Sequence, residues 1–166
     1  MPEQQNAGWG LGRAAERLAA LGITKPEVAA AVGSYVPAVR DGNLVLTSGQ
    51  LPFVDGALEA AGKVGADVDG VDPEQAQRLA RRCTVNALAA VHAVLGGLEQ
   101  VEQVVKVVGF VASDPSFTAQ PTVVNGASDL LAEVFGDAGR HARSAVGVAV
   151  LPLDAPVEVE LTVRAR

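Results

Sequence analysis

Arg143 stands in the stretch His141-Ala142-Arg143-Ser144-Ala145-Val146-Gly147, at the start of an apolar run. Glu158 follows fifteen positions later in Val157-Glu158-Val159-Glu160. A guanidinium among small aliphatic neighbours presents a rigid fork of donors, which matches a small carboxylate ligand. A glutamate near that ligand would orient or activate water. Together the two residue types point to chemistry on a small acid derived from an amino acid. A surface arginine paired with an acid would read the same way, and it is the apolar neighbours of Arg143 that favour a binding role.

Glu158 and Glu160 alternate with Val157, Val159 and Leu161, so both point away from the core face, and solvation alone would explain Glu160. If the last two strands formed a hairpin around Leu153-Asp154, Glu158 would face Ala149, leaving Arg143 six residues further on, about 20 Å at strand rise. Either those strands are not neighbours or the site is shared between chains, and strands apolar on both faces favour the second.

The remaining candidates are weaker. Tyr35 is the single tyrosine and reads as a half-buried strand residue. Ser48-Gly49-Gln50 follows a strand and offers backbone N–H groups to an anion, or is a plain turn. Asn125 falls in the first turns of a helix, where a solvated side chain is ordinary. His141 could tune Arg143 or be a loop histidine, and His92 reads as a helix residue without a site. Two isolated histidines and one cysteine give no metal signature, and Cys83 falls on a helical core stripe. Gly8-Trp9-Gly10-Leu11-Gly12 does not follow a strand, so it is not a dinucleotide fingerprint.

The elements that must position these residues follow from periodicity. Gly12 to Leu21 predicts a short helix after a loose tail over residues 1–10. Ser34–Arg40 and Asn43–Thr47 read as a hairpin around Asp41-Gly42. Residues 48–72 read as loops, with a short edge strand near Leu58. Asp72-Pro73-Glu74 supplies a cap, a first-turn proline and a first-turn acid. The helix they open buries Ala76, Leu79, Ala80, Cys83, Ala87, Val91, Val94 and Leu95, and Gly96-Gly97 stops it. A strand over Val101–Ala112, a helix over Pro121–Phe135 with Val124, Leu130, Leu131 and Val134 inward, and strands over Arg143–Leu151 and Val157–Val163 complete the chain.

This order predicts a single α+β domain with two main helices on one face of a mixed sheet. The strands around Val107 and Val148 are apolar on both faces, which two helices cannot cover, so an oligomer is expected. A net charge of −6 and 4% aromatic residues do not favour a nucleic-acid surface. One cysteine excludes an intrachain disulfide. With no basic-then-apolar leader and no run of spanning length, the expectation is a cytoplasmic chain off the membrane.

From about Val32 to Val163 the chain resembles the YjgF/RidA family of reactive-intermediate imine and enamine deaminases. The resemblance rests on Ala142-Arg143-Ser144, Leu151-Pro152 and Val157-Glu158-Val159, in order after Gly33-Ser34-Tyr35, Leu46-Thr47-Ser48-Gly49-Gln50-Leu51-Pro52, Val105-Lys106 before Phe110-Val111, and Val124-Asn125. It implies a chorismate-mutase-like fold over residues 31–166, preceded by an extension over residues 1–30, and a homotrimer with clefts between subunits. It implies Arg143 as carboxylate anchor and Glu158 as the residue positioning water, with Tyr35, Ser48, Gly49 and Asn125 lining the cleft. Ala145 stands where many members carry cysteine, a position that can contribute through backbone. Ser34 where proline is usual, and Val36-Pro37 for a common polar pair, depart from the family pattern. The implied activity is hydrolysis of a small imino or enamine acid to a keto acid and ammonia, without a cofactor. A noncatalytic trimer sensing a small metabolite and a ribonuclease are the rival expectations.

Overall fold

The computed structural model describes residues 7–65, 67 and 69–166. Along the chain run α1 (Arg13–Ala20), β1 (Ala38–Asp41), β2 (Leu44–Thr47), β3 (Phe53–Val54), β4 (Ala57–Leu58), α2 (Pro73–Leu95), β5 (Val101–Ala112), α3 (Gln120–Phe135), β6 (Ala142–Val148) and β7 (Val157–Ala165). A five-stranded sheet has the order β1-β2-β7-β5-β6. β5 and β6 pair in parallel, and the other neighbours are antiparallel. The helices α2 and α3 pack against each other and against this sheet, as the α+β expectation requires.

The helix ends form for local reasons. The Asp72 side chain accepts a hydrogen bond from the Gln75 N–H at 2.9 Å, so one orphan donor of the first turn is satisfied. Gly96 ends α2 in the left-handed region at φ 77°, where a side chain would be strained. The expected stripe of α2 is buried except at Val94 in its last turn, which is 37% exposed. Close packing of α3 on α2 depends on Gly126: a Cβ there would sit 1.9 Å from the Gln77 carbonyl oxygen.

Several expectations are corrected. The β1–β2 turn pairs Asp41 with Leu44, so its central residues are Gly42 and Asn43, with Gly42 at φ 60°. Residues 34–37 precede the strand, which leaves Tyr35 in irregular backbone and 53% exposed. Of the alternatives left open for the last two strands, the structure has them apart, because β5 lies between them and pairs with both. The chain turns between them through Leu153, whose φ is 58°. Residues 7–10 are no loose tail: Trp9 is fully buried, and its indole N–H donates to the Ile23 carbonyl at 2.8 Å. Residues 1–6 of that expected tail lie outside the described residues. Ala14, Ala15 and Leu18 of α1 join the same hydrophobic core.

Register separates the sheet's two faces. Val107, Val111, Val157, Val159, Leu161 and Val163 are buried beneath the helices. On the opposite face the single chain leaves Val39, Leu46 and Val146 exposed at 48%, 43% and 42%. Strand β6 is the sheet edge, so its apolar residues are not covered on both sides within one chain.

Candidate functional site

Arg143 pairs with Val107 in the β5–β6 register, and Val107 is buried under the helices, so Arg143 projects to the helix face at the sheet edge. There α3 receives it. Nη1 donates to Asn125 Oδ1 at 2.8 Å and to Ser128 Oγ at 3.2 Å, and Nη2 donates to the Pro121 carbonyl at 3.3 Å. No carboxylate lies within ion-pair distance of this half-buried guanidinium among the described residues. A guanidinium has five N–H donors. Both on Nη1 and one on Nη2 are used, which leaves Nε–H and the second Nη2–H, the number a carboxylate takes in a bidentate pair.

Glu158 belongs to the other face. It pairs with Phe110, three residues beyond Val107 on β5. The Gln50 N–H donates to the Val159 carbonyl at 2.8 Å, and the Val159 N–H donates to the Gln50 carbonyl at 3.0 Å. That exchange presses Gly49 against Glu158 so closely that a Cβ on Gly49 would lie 1.7 Å from Glu158 Oε1. Ser48 is fixed beside it, its N–H donating to the Pro37 carbonyl at 2.8 Å and its hydroxyl to the Val36 carbonyl at 2.6 Å. These bonds tie the Ser48-Gly49 segment to the backbone just after Tyr35. Burial, and secondarily the neighbouring Glu160 carboxylate, push the Glu158 carboxyl above the ordinary glutamate value.

Within one protomer the two charged residues are therefore not brought together. They lie on opposite faces, with β5 between their strands, and are offset by three residues, about 10 Å along it. Two surface cavities, of about 320 and 1240 Å³, are lined by other residues. The candidate residues thus fall into two groups. One holds Arg143, Asn125 and, two residues along the same strand face, Ala145. The other holds Glu158, Gly49 and Ser48.

The family profile described as "YjgF/chorismate_mutase-like, putative endoribonuclease" matches residues 15–164. The chain belongs to the YjgF/RidA family. Protein TCP17 of Trypanosoma cruzi is 46% identical over 153 residues, 92% of this chain and 94% of that protein. The crystal structure of Atu1372 from Agrobacterium tumefaciens, a protein of unknown function, is similar at 48% identity and a TM-score of 0.81, covering 90% of this chain and 89% of that one. E. coli TdcF, solved with bound serine, is similar at 28% identity and a TM-score of 0.58, covering 82% of this chain and 91% of that one. The chorismate-mutase-like fold expected from the motif is thereby established.

In this YjgF/RidA chain the sequence missed Ser128 and the Pro121 carbonyl. Ser128 lies three residues after Asn125, a spacing that puts both on one helix face, and that spacing was the available signal. Cys83 is buried in the core, where desolvation first and the Glu158 carboxylate second push its thiol up, so it is a poor nucleophile. His92 serves the core too, its Nε2 lying 3.1 Å from the Trp9 carbonyl. Among the described residues no group of three or more His, Cys, Asp or Glu side chains could hold a metal. No helix among them is long and apolar enough to cross a membrane.

Proposed function

We propose that this protein hydrolyses small 2-imino acids, and the 2-enamino acids that tautomerise to them, at sites completed between subunits of a homotrimer. The observation that carries the proposal is the unpaired Arg143 fork, pre-set by three neutral acceptors with two donors left over. Those two donors grip the substrate carboxylate. The second half of the site comes from a neighbouring copy: its Glu158 holds a water over C2, and its Ser48 and Gly49 shape the cleft with Tyr35. Ala145 offers its backbone beside Arg143.

The substrate is R–C(=NH₂⁺)–COO⁻, which is already electrophilic, so the proposal needs no cofactor. Water adds to C2 while the Glu158 carboxylate takes its proton, giving a tetrahedral amino alcohol. Glu158 returns that proton to nitrogen; as the C–N bond breaks, the C2 hydroxyl proton passes through the Glu158 carboxylate to the departing ammonia, and the products are a 2-keto acid and ammonium. The protein's contribution is orientation and charge placement. A raised Glu158 pKa makes that carboxylate a better base than an ordinary surface glutamate. The serine bound to TdcF supports a ligand of this size bearing a carboxylate.

Subunit complementation tests the reading. Arg143→Ala and Glu158→Gln chains should each be inactive in releasing keto acid from freshly generated 2-iminopropanoate. Refolded together in equal amounts, they should recover about one quarter of wild-type activity, since each site draws its two halves independently from different copies. No recovery would sink the shared site, and full activity of either variant alone would sink the mechanism. Cleavage of RNA by the wild type, lost in Arg143→Ala, would instead favour the activity in the family's description.

A further inference from the structure

We propose that Ser128 and His141 form a positioning relay that sets the Arg143 guanidinium for carboxylate binding. The inference rests on the reading of Arg143 as the anchor, and it names two residues that the family motif does not include.

His141 Nδ1 lies 2.6 Å from the Gly139 carbonyl oxygen. A carbonyl only accepts, so Nδ1 carries the ring proton. In the neutral ring Nε2 is then an acceptor, and the Ser128 hydroxyl at 2.9 Å donates to it. With its proton committed, Ser128 Oγ turns lone-pair density toward Arg143 Nη1 at 3.2 Å. Every bond in the series donates outward from the guanidinium: Arg143 to Ser128, Ser128 to His141, His141 to Gly139. A chain polarised in one sense strengthens each of its links.

The end of the relay is rigid. Gly139 is buried, and a Cβ on it would lie 2.2 Å from the Leu131 carbonyl oxygen, so this turn sits directly on the end of α3. Asn125 and Ser128 rise from the same face of that helix and take both Nη1 protons. The plane of the guanidinium is thereby fixed, with Nε–H and the second Nη2–H left for a ligand. Without Ser128, Nη1 would keep one partner, and the fork would rest on Asn125 and the 3.3 Å bond to the Pro121 carbonyl alone.

The test compares Ser128→Ala, Ser128→Thr, His141→Ala and His141→Gln with wild type and Arg143→Ala. The readouts are KM and kcat for 2-iminopropanoate, and calorimetric affinity for pyruvate as a non-reacting carboxylate. Ser128→Ala and His141→Ala should raise KM and the pyruvate Kd on the order of tenfold or more, the worth of a hydrogen bond to a charged group, and change kcat much less. Ser128→Thr keeps the hydroxyl and His141→Gln keeps an acceptor near Nε2, so both should recover most of the affinity. Should His141→Ala fail to fold, the Ser128 pair and His141→Gln carry the comparison. Unchanged KM and Kd in Ser128→Ala, with binding abolished in Arg143→Ala, overturns the relay and leaves the anchor standing. Pyruvate binding through Arg143 without imine turnover overturns the deaminase reading and leaves the relay to be judged on Kd. Wild type that neither binds pyruvate nor turns over the imine overturns both.

Discussion

Replacing Arg143 with alanine should remove substrate binding while leaving the fold intact, and the two effects can be sized separately. The guanidinium has two donors free of protein partners, Nε–H and one Nη2–H. Each would make a charge-assisted bond to the substrate carboxylate worth about 1.5–3 kcal/mol, together about 3–6 kcal/mol. At about 1.4 kcal/mol per factor of ten, kcat/KM should fall roughly 10²- to 10⁴-fold. Stability should change by only about 1 kcal/mol, because Asn125 and Ser128 are half-exposed and water can replace the lost donor. Arg143→Lys keeps the charge but not the fork, so it should recover part of the loss. The assay is keto-acid release, run in parallel on the imino acid and on its carboxamide. Wild type should lose a similar factor on the carboxamide, and Arg143→Ala should barely distinguish the two substrates. If Arg143→Ala penalised both equally, the residue would be structural and the anchor would be refuted.

Three further outcomes follow from the geometry. Gly49→Ala would put a methyl 1.7 Å from Glu158 Oε1 and so displace the carboxylate; kcat should fall on the order of 10²-fold with KM little changed, and an unaltered kcat would argue against Glu158 holding the water. The Glu158 pKa is raised, so if its ionised form takes the proton from water, the acid limb of kcat/KM should lie above the ordinary glutamate value of 4.5, and Glu158→Gln should abolish turnover; a limb at or below 4.5 would contradict the assignment. His92 has its pKa lowered from 6.5, by burial first and Lys25 second. The stability this contributes is present above 6.5 and lost as pH falls through the folded-state value, so melting curves of wild type should drop over that window and those of His92→Gln should drop less.

Much of the fold was legible because its signals are local. Asp72-Pro73 opens α2, Gly96 closes it and Gly42 turns the first hairpin, and each acts through backbone geometry within a few residues. The placement of the last two strands is legible only in part, for the opposite reason. A turn-like segment around Pro152 between two apolar runs is compatible with a hairpin, and nothing local announces that β5, some forty residues upstream of β6, enters between them. Parallel pairing of β5 with β6 needs the crossover through α3, and the reward for that pairing is distant in sequence. Trp9 escaped for a related reason: flanking glycines look like loop, and its burial depends on α2 and the residue 23 carbonyl.

The site divides along the same line. Arg143 and Glu158 are singled out as candidates by type and setting, whereas the faces they occupy depend on parity counted across β5, which no motif states. That parity bears on function. An odd offset of three residues sends the two side chains to opposite faces, so no rotamer change in one chain can join them. Activity from this pair therefore requires a second copy, and the apolar face bearing Leu46 and Val146 is where a copy would gain most by docking. If the protein turns over imino acids by this route, its specific activity must fall on dilution below the association threshold and return on concentration. A monomer with full activity would require a different base for Arg143 to work with.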